Sequence, residues 1–125
     1  MPGRKSTLVV LAGVVLTAAP ALDAHHSHGN YDLYNYTHLT GVVQEVLWIN
    51  PHTWIHLRVT EADGSTTDWA LEGGGINALT RRGWTPEDVQ AGDRIGVRCH
   101  ALRDGANGCL LGYVTPEGGA EKEWD

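Results

Sequence analysis

The sequence predicts a mainly β domain that closes into a small five-stranded barrel, with a short helical insert between strands 3 and 4. Three observations predict this class. After Asn50-Pro51 the residues alternate between apolar and polar without a lapse, which is the period of a half-buried strand. Turn-forming dipeptides separate several strand-like runs. The run Gly73-Gly74-Gly75 then interrupts the sheet ahead of a stretch with helical features.

Strands 1 to 3 are predicted to form a meander. Strand 1 extends from Leu39 to Ile49, is rich in valine, and has Gly41 as a bulge or bend. Strand 2 follows the Asn50-Pro51 turn, and strand 3 runs from Thr66 to Glu72 after a hairpin turn at 61–65. The alternation on strand 2 separates a core face from an outer face. The core set is Thr53, Ile55, Leu57 and Val59, and the outer set is His52, Trp54, His56 and Arg58.

The second half of the chain completes the predicted barrel. A helix over 77–82 is expected to stop at Gly83, and a second helical turn is expected from Thr85, a capping residue followed by proline. Alternating residues at 95–101 and 111–114 predict strands 4 and 5. Three strands, a helical insert and two strands is the order of an oligonucleotide- and oligosaccharide-binding (OB) barrel. Such barrels bind ligands around strands 2 and 3, although a fold alone does not establish a function.

The first residues predict export. Arg4 and Lys5 precede an apolar run from Leu8 to Ala19, a pattern typical of a secretory signal peptide. The run is shorter than the roughly 20 residues of a membrane-spanning helix, and cleavage after Ala21 or after Ala24 fits the pattern. We expect a periplasmic or secreted protein without membrane contact once the signal is removed. The predicted divisions are a signal peptide (1–24), a histidine-rich arm (25–38), an OB-like barrel domain (39–116) and a loose polar tail (117–125).

The charge of the chain argues against a nucleic-acid partner. The whole sequence has a formal net charge of −6, and residues 25–125 contain seven basic and fourteen acidic residues. Such a surface repels a phosphate backbone. The partners that the predicted compartment favours are exported or envelope proteins.

The two cysteines predict a disulfide. Cys99 and Cys109 flank the turn dipeptides Asp104-Gly105 and Asn107-Gly108, as expected at the two sides of a hairpin loop. In an oxidising compartment this placement favours a cross-strand disulfide over a pair of reduced thiols. The disulfide would be structural.

Histidines predict a transition-metal site. If processing exposes His25 as the first residue, its amine and imidazole can chelate one ion, and His26, His28, His52 or His56 can complete the set. Imidazole and amine ligands suit copper(II) best. In an extended strand His52 and His56 would lie about 13 Å apart. They cannot chelate one ion together without a bend in the strand or ligands from a third segment. The alternative is that these histidines are solvated or packed side chains that bind no metal.

A second hypothesis is a metal-independent binding module for a protein partner or a small ligand. Trp48 and Trp54 would be rigid aromatic anchors, and His56 and Arg58 polar contacts. The alternative for Trp48 is a place in the core. The sequence has no glycine-framed nucleophile and no zinc-protease histidine pair, so we expect a binding or accessory protein rather than an enzyme. A copper-dependent oxidative activity at an N-terminal histidine is the remaining catalytic hypothesis.

Four motifs resemble those of a bacterial family of small exported proteins of unknown function. They are Ala24-His25-His26-Ser27, Trp48-x-Asn50-Pro51-His52-x-Trp54-Ile55, Leu79-x-Arg81-x-Gly83-Trp84 and Gly92-Asp93. The resemblance implies export and a single small domain, and it implies no activity. The family pattern usually has Phe where this chain has His28, so a metal site that uses His28 would not extend to the family.

Overall fold

A closed barrel of five strands, extended by a sixth, forms the domain. The computed structural model describes Gly3 and residues 28–125. The strands are β1 (Thr37–Leu47), β2 (Trp54–Thr60), β3 (Thr66–Glu72), β4 (Arg94–Ala101), β5 (Gly108–Pro116) and β6 (Lys122–Glu123), and the helix α1 (Ile76–Arg81) lies between β3 and β4. The strand order is β3-β2-β1-β4-β5-β6, with all of these neighbours antiparallel. A parallel pairing of β3 with β5 closes the barrel, and the predicted fold class is confirmed.

The predicted alternation on β2 is confirmed. Thr53, Ile55 and Leu57 are fully buried, whereas Trp54 and His56 are half-buried and Arg58 is exposed. The turn into β3 forms as its sequence predicts, because Asp63 accepts a hydrogen bond from the backbone N–H of Ser65 at 2.9 Å. Gly64 between them has a φ of 86°, which a side chain would disfavour.

Strand β1 corrects one local prediction. It begins and ends two residues earlier than expected, and its register with β2 shifts between Val43 and Glu45 rather than at Gly41. Gly41 has a different role, because a Cβ there would overlap the carbonyl oxygen of Arg58 on β2. The glycine therefore permits a close approach of two backbones, so the predicted bulge at Gly41 is wrong.

Helix α1 ends in a Schellman motif. The N–H of Gly83 donates to the carbonyl of Thr80, and the N–H of Trp84 donates to that of Leu79, each at 3.0 Å. Gly83 has a φ of 84°, as this motif requires. Leu79 and Trp84 are both buried in the core, so the helix end is fixed by packing as well.

The second helical turn predicted from Thr85 is wrong, because that segment forms only a turn. The N–H of Asp88 donates to the Thr85 carbonyl at 3.2 Å, and the Asp88 carboxylate accepts from the Thr85 N–H at 2.7 Å. The capping interaction is therefore present without a helix behind it. No helix within the described residues is long and apolar enough to cross a bilayer.

The predicted disulfide joins β4 to β5. Cys99 and Cys109 are bonded, with 5.6 Å between their Cα atoms, and neither is exposed to solvent. The loop between the two strands contains Gly105 with a φ of 81° and an Asp104 carboxylate that accepts from the N–H of Ala106. The hairpin prediction is confirmed.

The expectation of a loose tail at 117–125 is wrong. Lys122 and Glu123 pair with β5, and Trp124 is fully buried. The Trp124 ring lies 4.5 Å from that of Trp84 and 6.1 Å, edge-on, from that of Trp48, centroid to centroid. Its indole N–H donates to the hydroxyl of Thr53 at 3.2 Å. The end of the chain therefore completes the core of the barrel.

Candidate functional site

The loop between β1 and β2 is held against the glycine run that follows β3. The side-chain oxygen of Asn50 accepts from the N–H of Ile76 at 3.0 Å, capping α1, whose own N-cap residue Gly75 has no side chain. The hydroxyl of Thr53 donates to the carbonyl of Gly74 at 2.8 Å. A Cβ at Gly75 would lie 2.8 Å from the Pro51 carbonyl oxygen. These contacts fix the backbone on both sides of Pro51.

His52 lies in this loop with its two ring nitrogens in different environments. Nδ1 is 3.3 Å from the carbonyl oxygen of Gly73 and 3.6 Å from a carboxylate oxygen of Glu72. A carbonyl can only accept a hydrogen bond, so Nδ1 carries the hydrogen and Nε2 keeps its lone pair in the neutral imidazole. The side chain is 36% exposed. Metal-ligating histidines almost always donate their other ring N–H to a carbonyl, a carboxylate or water, and the Gly73 carbonyl is placed to accept from His52 Nδ1.

Glu72 connects His52 to Tyr31, which lies within the histidine-rich arm. Its carboxylate is buried, and the hydroxyl of Tyr31 donates to it at 2.6 Å. Tyr31 is also buried, bridges to Leu102, and accepts a hydrogen bond at its carbonyl from Arg103 at 3.1 Å. The imidazole of His52 and the anchor of the arm therefore share one carboxylate.

Alkaline pH is expected to destabilise the fold through Tyr31. Burial, the hydrogen bond to Glu72 and the charge of Glu72 raise the pKa of Tyr31 above its ordinary value of about 10. Because the folded state holds this proton more tightly, the stabilisation is complete below about pH 10 and is lost as the pH rises toward the folded pKa. The free energy of unfolding should fall more between about pH 9 and about pH 11 in the native chain than in Tyr31→Phe. Urea unfolding at both pH values measures this, and equal falls would contradict the assignment.

The other predicted metal ligands are distributed along the chain. His28 is exposed in a single 3₁₀ turn, and its carbonyl accepts from the N–H of Tyr31. His56 lies on β2 opposite Glu45 and Ala70. His25 and His26 lie outside the described residues, as does the predicted signal peptide apart from Gly3. Within 28–125 no group of three or more His, Cys, Asp or Glu residues could hold a metal ion.

The predicted ligand-binding residues divide between the core and the outer face. Trp48 packs edge-on against Trp124, as the core interpretation expects. Trp54, His56 and Arg58 follow one another on the outer face of β2. The guanidinium of Arg58 forms two hydrogen bonds with Asp68, at 2.7 and 2.9 Å, and lowers the pKa of that carboxyl. Arg58 is therefore already paired within the sheet.

Glu72 and Tyr31 were not among the predicted site residues. The available signal was the position of Glu72, a carboxylate at the end of a strand directly before three glycines. Glycine runs mark places where another part of the chain approaches closely. The segment that approaches is the His52 loop.

Comparisons with known proteins identify the family and add no function. No curated protein and no solved structure matches the chain. A family model described as a family of unknown function, DUF6152, matches residues 12–111. The match agrees, at the level of the family, with the resemblance noted in the sequence. The chain therefore belongs to DUF6152, a family of unknown function.

Proposed function

We propose that this protein is an exported, non-enzymatic binding or accessory protein that binds a transition-metal ion through His52. The observation that supports the proposal is the orientation of the His52 imidazole. Its Nδ1 faces the Gly73 carbonyl and the buried Glu72 carboxylate, which leaves Nε2 as the nitrogen available to a metal. Copper(II) is the ion that imidazole and amine ligands favour most.

The remaining ligands are proposed to come from the histidine-rich arm. Tyr31, within the arm, is bound to the same Glu72 carboxylate that lies beside His52. Residues 28–30 form a 3₁₀ turn, and a chain extended from residue 28 back to residue 25 adds about 10 Å, so the proposal has His25 and His26 fold back toward His52 over this length. If cleavage follows Ala24, the free amine of His25 adds a nitrogen ligand.

The proposal predicts one tight copper(II) site that depends on His52. Titration calorimetry on tag-free protein exported from a bacterial host, with intact mass to identify the first residue, measures it. We expect His52→Ala and His25→Ala each to weaken binding at least about tenfold, equivalent to about 1.4 kcal/mol. His56→Ala is the matched control, because His56 is a half-buried histidine on the neighbouring strand without a contact to Glu72.

Two results would contradict this assignment. Binding that His52→Ala leaves unchanged would remove His52 from the site. Weak binding in the native chain, insensitive to removal of residues 25–28, would remove the metal function altogether.

A second candidate function is a metal-independent module that binds an exported or envelope protein or a small ligand. The side chains on the outer face of β2 favour it. Trp54 is half-buried and lies on the same face of β2 as His56 and Arg58. Aromatic side chains held on rigid strands are effective anchors. Under this candidate Trp54→Ala abolishes retention of a partner from envelope extract while His52→Ala spares it. The metal proposal expects the reverse for copper(II) affinity.

A further inference from the structure

A shallow groove crosses β1, β4 and β5 on the outer face of the barrel, away from the loop of His52. Its floor is the row of residues paired across the three strands, Thr40, Gly96 and Thr115. Two cavities of about 240 and 280 Å³ share this floor. We name the whole feature the Gly96 groove. Beyond this floor, its charged lining residues are Arg94, Arg98, Glu117 and Glu121, and its apolar ones include Leu39 and Pro116.

The glycine that creates the groove has no steric role in the fold. A Cβ at Gly96 would lie 4.0 Å from the nearest atoms, the Cβ of Thr115 and the hydroxyl oxygen of Thr40. This is ordinary van der Waals contact, unlike Gly41, where a Cβ would overlap the neighbouring backbone. Glycine weakens the interior of a strand, and it often marks a bulge, a tight bend of a barrel, or a place that a ligand or another backbone approaches closely. Packing therefore does not explain why the space above Gly96 is left open.

Each end of the groove has one arginine and one glutamate, and the two ends differ in how these side chains are paired. At one end the guanidinium of Arg98 is held by two hydrogen bonds to Glu121, at 3.0 and 2.8 Å, and lies 4.1 Å from the centre of the Tyr113 ring. At the other end Arg94 is exposed. No ion pair within residues 28–125 engages Arg94. Among the residues that the structure describes, Arg94 is therefore an arginine of the groove without an ion pair, although Glu117 lines the same cavity.

The polar groups of the lining are matched to a ligand that has both a carboxylate and hydroxyl groups. Arg94 can bind a carboxylate through two parallel hydrogen bonds. The hydroxyls of Thr40 and Thr115 can donate or accept, and the carboxylate of Glu117 can accept from a ligand hydroxyl. The remaining lining residues, Leu39, Ile95, Val97 and Pro116, are apolar, and the apolar face of a sugar ring can lie against such a surface.

We propose that the Gly96 groove binds an anionic saccharide unit, a uronic acid residue, with its carboxylate on Arg94 and its hydroxyls on the threonine floor. The cavities are at the small end of ligand sites, so the groove accommodates one or two sugar rings. This inference is independent of the proposed metal function, since it uses none of the histidines assigned there.

The test uses the full mature protein, with an oligogalacturonate as the probe and a neutral maltotriose as the comparison. Amide chemical shifts report binding, and ligand at about 10 mM exceeds a 1 mM dissociation constant tenfold. We expect saturable shifts centred on Thr40, Gly96 and Thr115 with the uronate alone. Absence of saturable shifts, or shifts confined to another face, would overturn the proposal.

Two variants separate the groove from the fold. Gly96→Val fills the floor and adds a residue with higher strand propensity, so we expect at least a tenfold loss of uronate affinity with no loss of thermal stability. Gly96→Ala adds only the Cβ, and it is the variant to use for the same affinity measurement if valine disturbs the sheet. Arg94→Ala should lower uronate affinity by a similar factor. Arg81→Ala removes the same charge at an exposed position of α1 and should bind the uronate as the native chain does. Native affinity in both Gly96 variants would overturn the proposal.

Discussion

Replacement of Trp124 by alanine is expected to lower the free energy of unfolding by about 3 to 5 kcal/mol. Trp124 is fully buried in the core, where its ring contacts Trp84 and Trp48. Its removal leaves a cavity of indole size and also removes the hydrogen bond to the hydroxyl of Thr53. Urea denaturation followed by far-UV circular dichroism measures the change.

Trp54→Ala is the matched control for this variant. Trp54 is the same residue type but lies half-buried on the outer face of β2, so its replacement should cost less than half as much. Trp124→Phe keeps an aromatic ring and loses the indole N–H, and it should cost about 1 to 2 kcal/mol. A loss below about 1 kcal/mol in Trp124→Ala would show that the tail does not belong to the core.

Removal of the disulfide is expected to lower the free energy of unfolding by about 3 kcal/mol. Cys99 and Cys109 close a loop with a sequence separation of 10, for which loop-closure entropy gives a stabilisation of roughly 2 to 3 kcal/mol. Both sulfurs are buried, so the double variant Cys99→Ala, Cys109→Ala adds a small loss of packing.

The measurement is urea unfolding of the native and double-variant proteins, each with and without a reducing agent. Reduction should destabilise the native protein and leave the double variant unchanged. If the native protein unfolds at the same urea concentration in both conditions, the stabilisation attributed to the disulfide is absent.

Sequence patterns that span only a few residues predicted most of the barrel's strands and the end of its helix. The alternation of Thr53, Ile55 and Leu57 with outward side chains is determined by the period of a strand, and these residues occupy the core as expected. Gly83 ends α1 because a positive φ after a helix is a property of one position. In both cases the physical cause lies within a few residues.

Contacts between distant segments were not predictable in the same way. Trp124 stands among charged residues and follows two glycines at 118 and 119, a context typical of a loose tail. Its burial depends on space between Thr53, Trp84 and Gly73, which exists only after the barrel closes. The bulge near Gln44 depends likewise on the pairing of β1 with β2.

The candidate site was predicted in part. His52 was predicted as a candidate ligand, and the structure places its imidazole beside a buried carboxylate. The partners Glu72 and Tyr31 are 41 residues apart, and their hydrogen bond follows from the register of β3 and the path of residues 28–36. The glycine run after Glu72 is a signal of close approach, but it does not name the approaching segment, and a glutamate at the end of a strand is ordinarily solvated.

The position of Trp124 in the core also has a consequence for how the protein is made. The contacts of Trp124 with Thr53 and Trp84 join residues synthesised far apart in time. A nascent chain that lacks residue 124 has a barrel without part of its interior, so we expect it to be less stable than the full chain by about the 3 to 5 kcal/mol expected for Trp124→Ala.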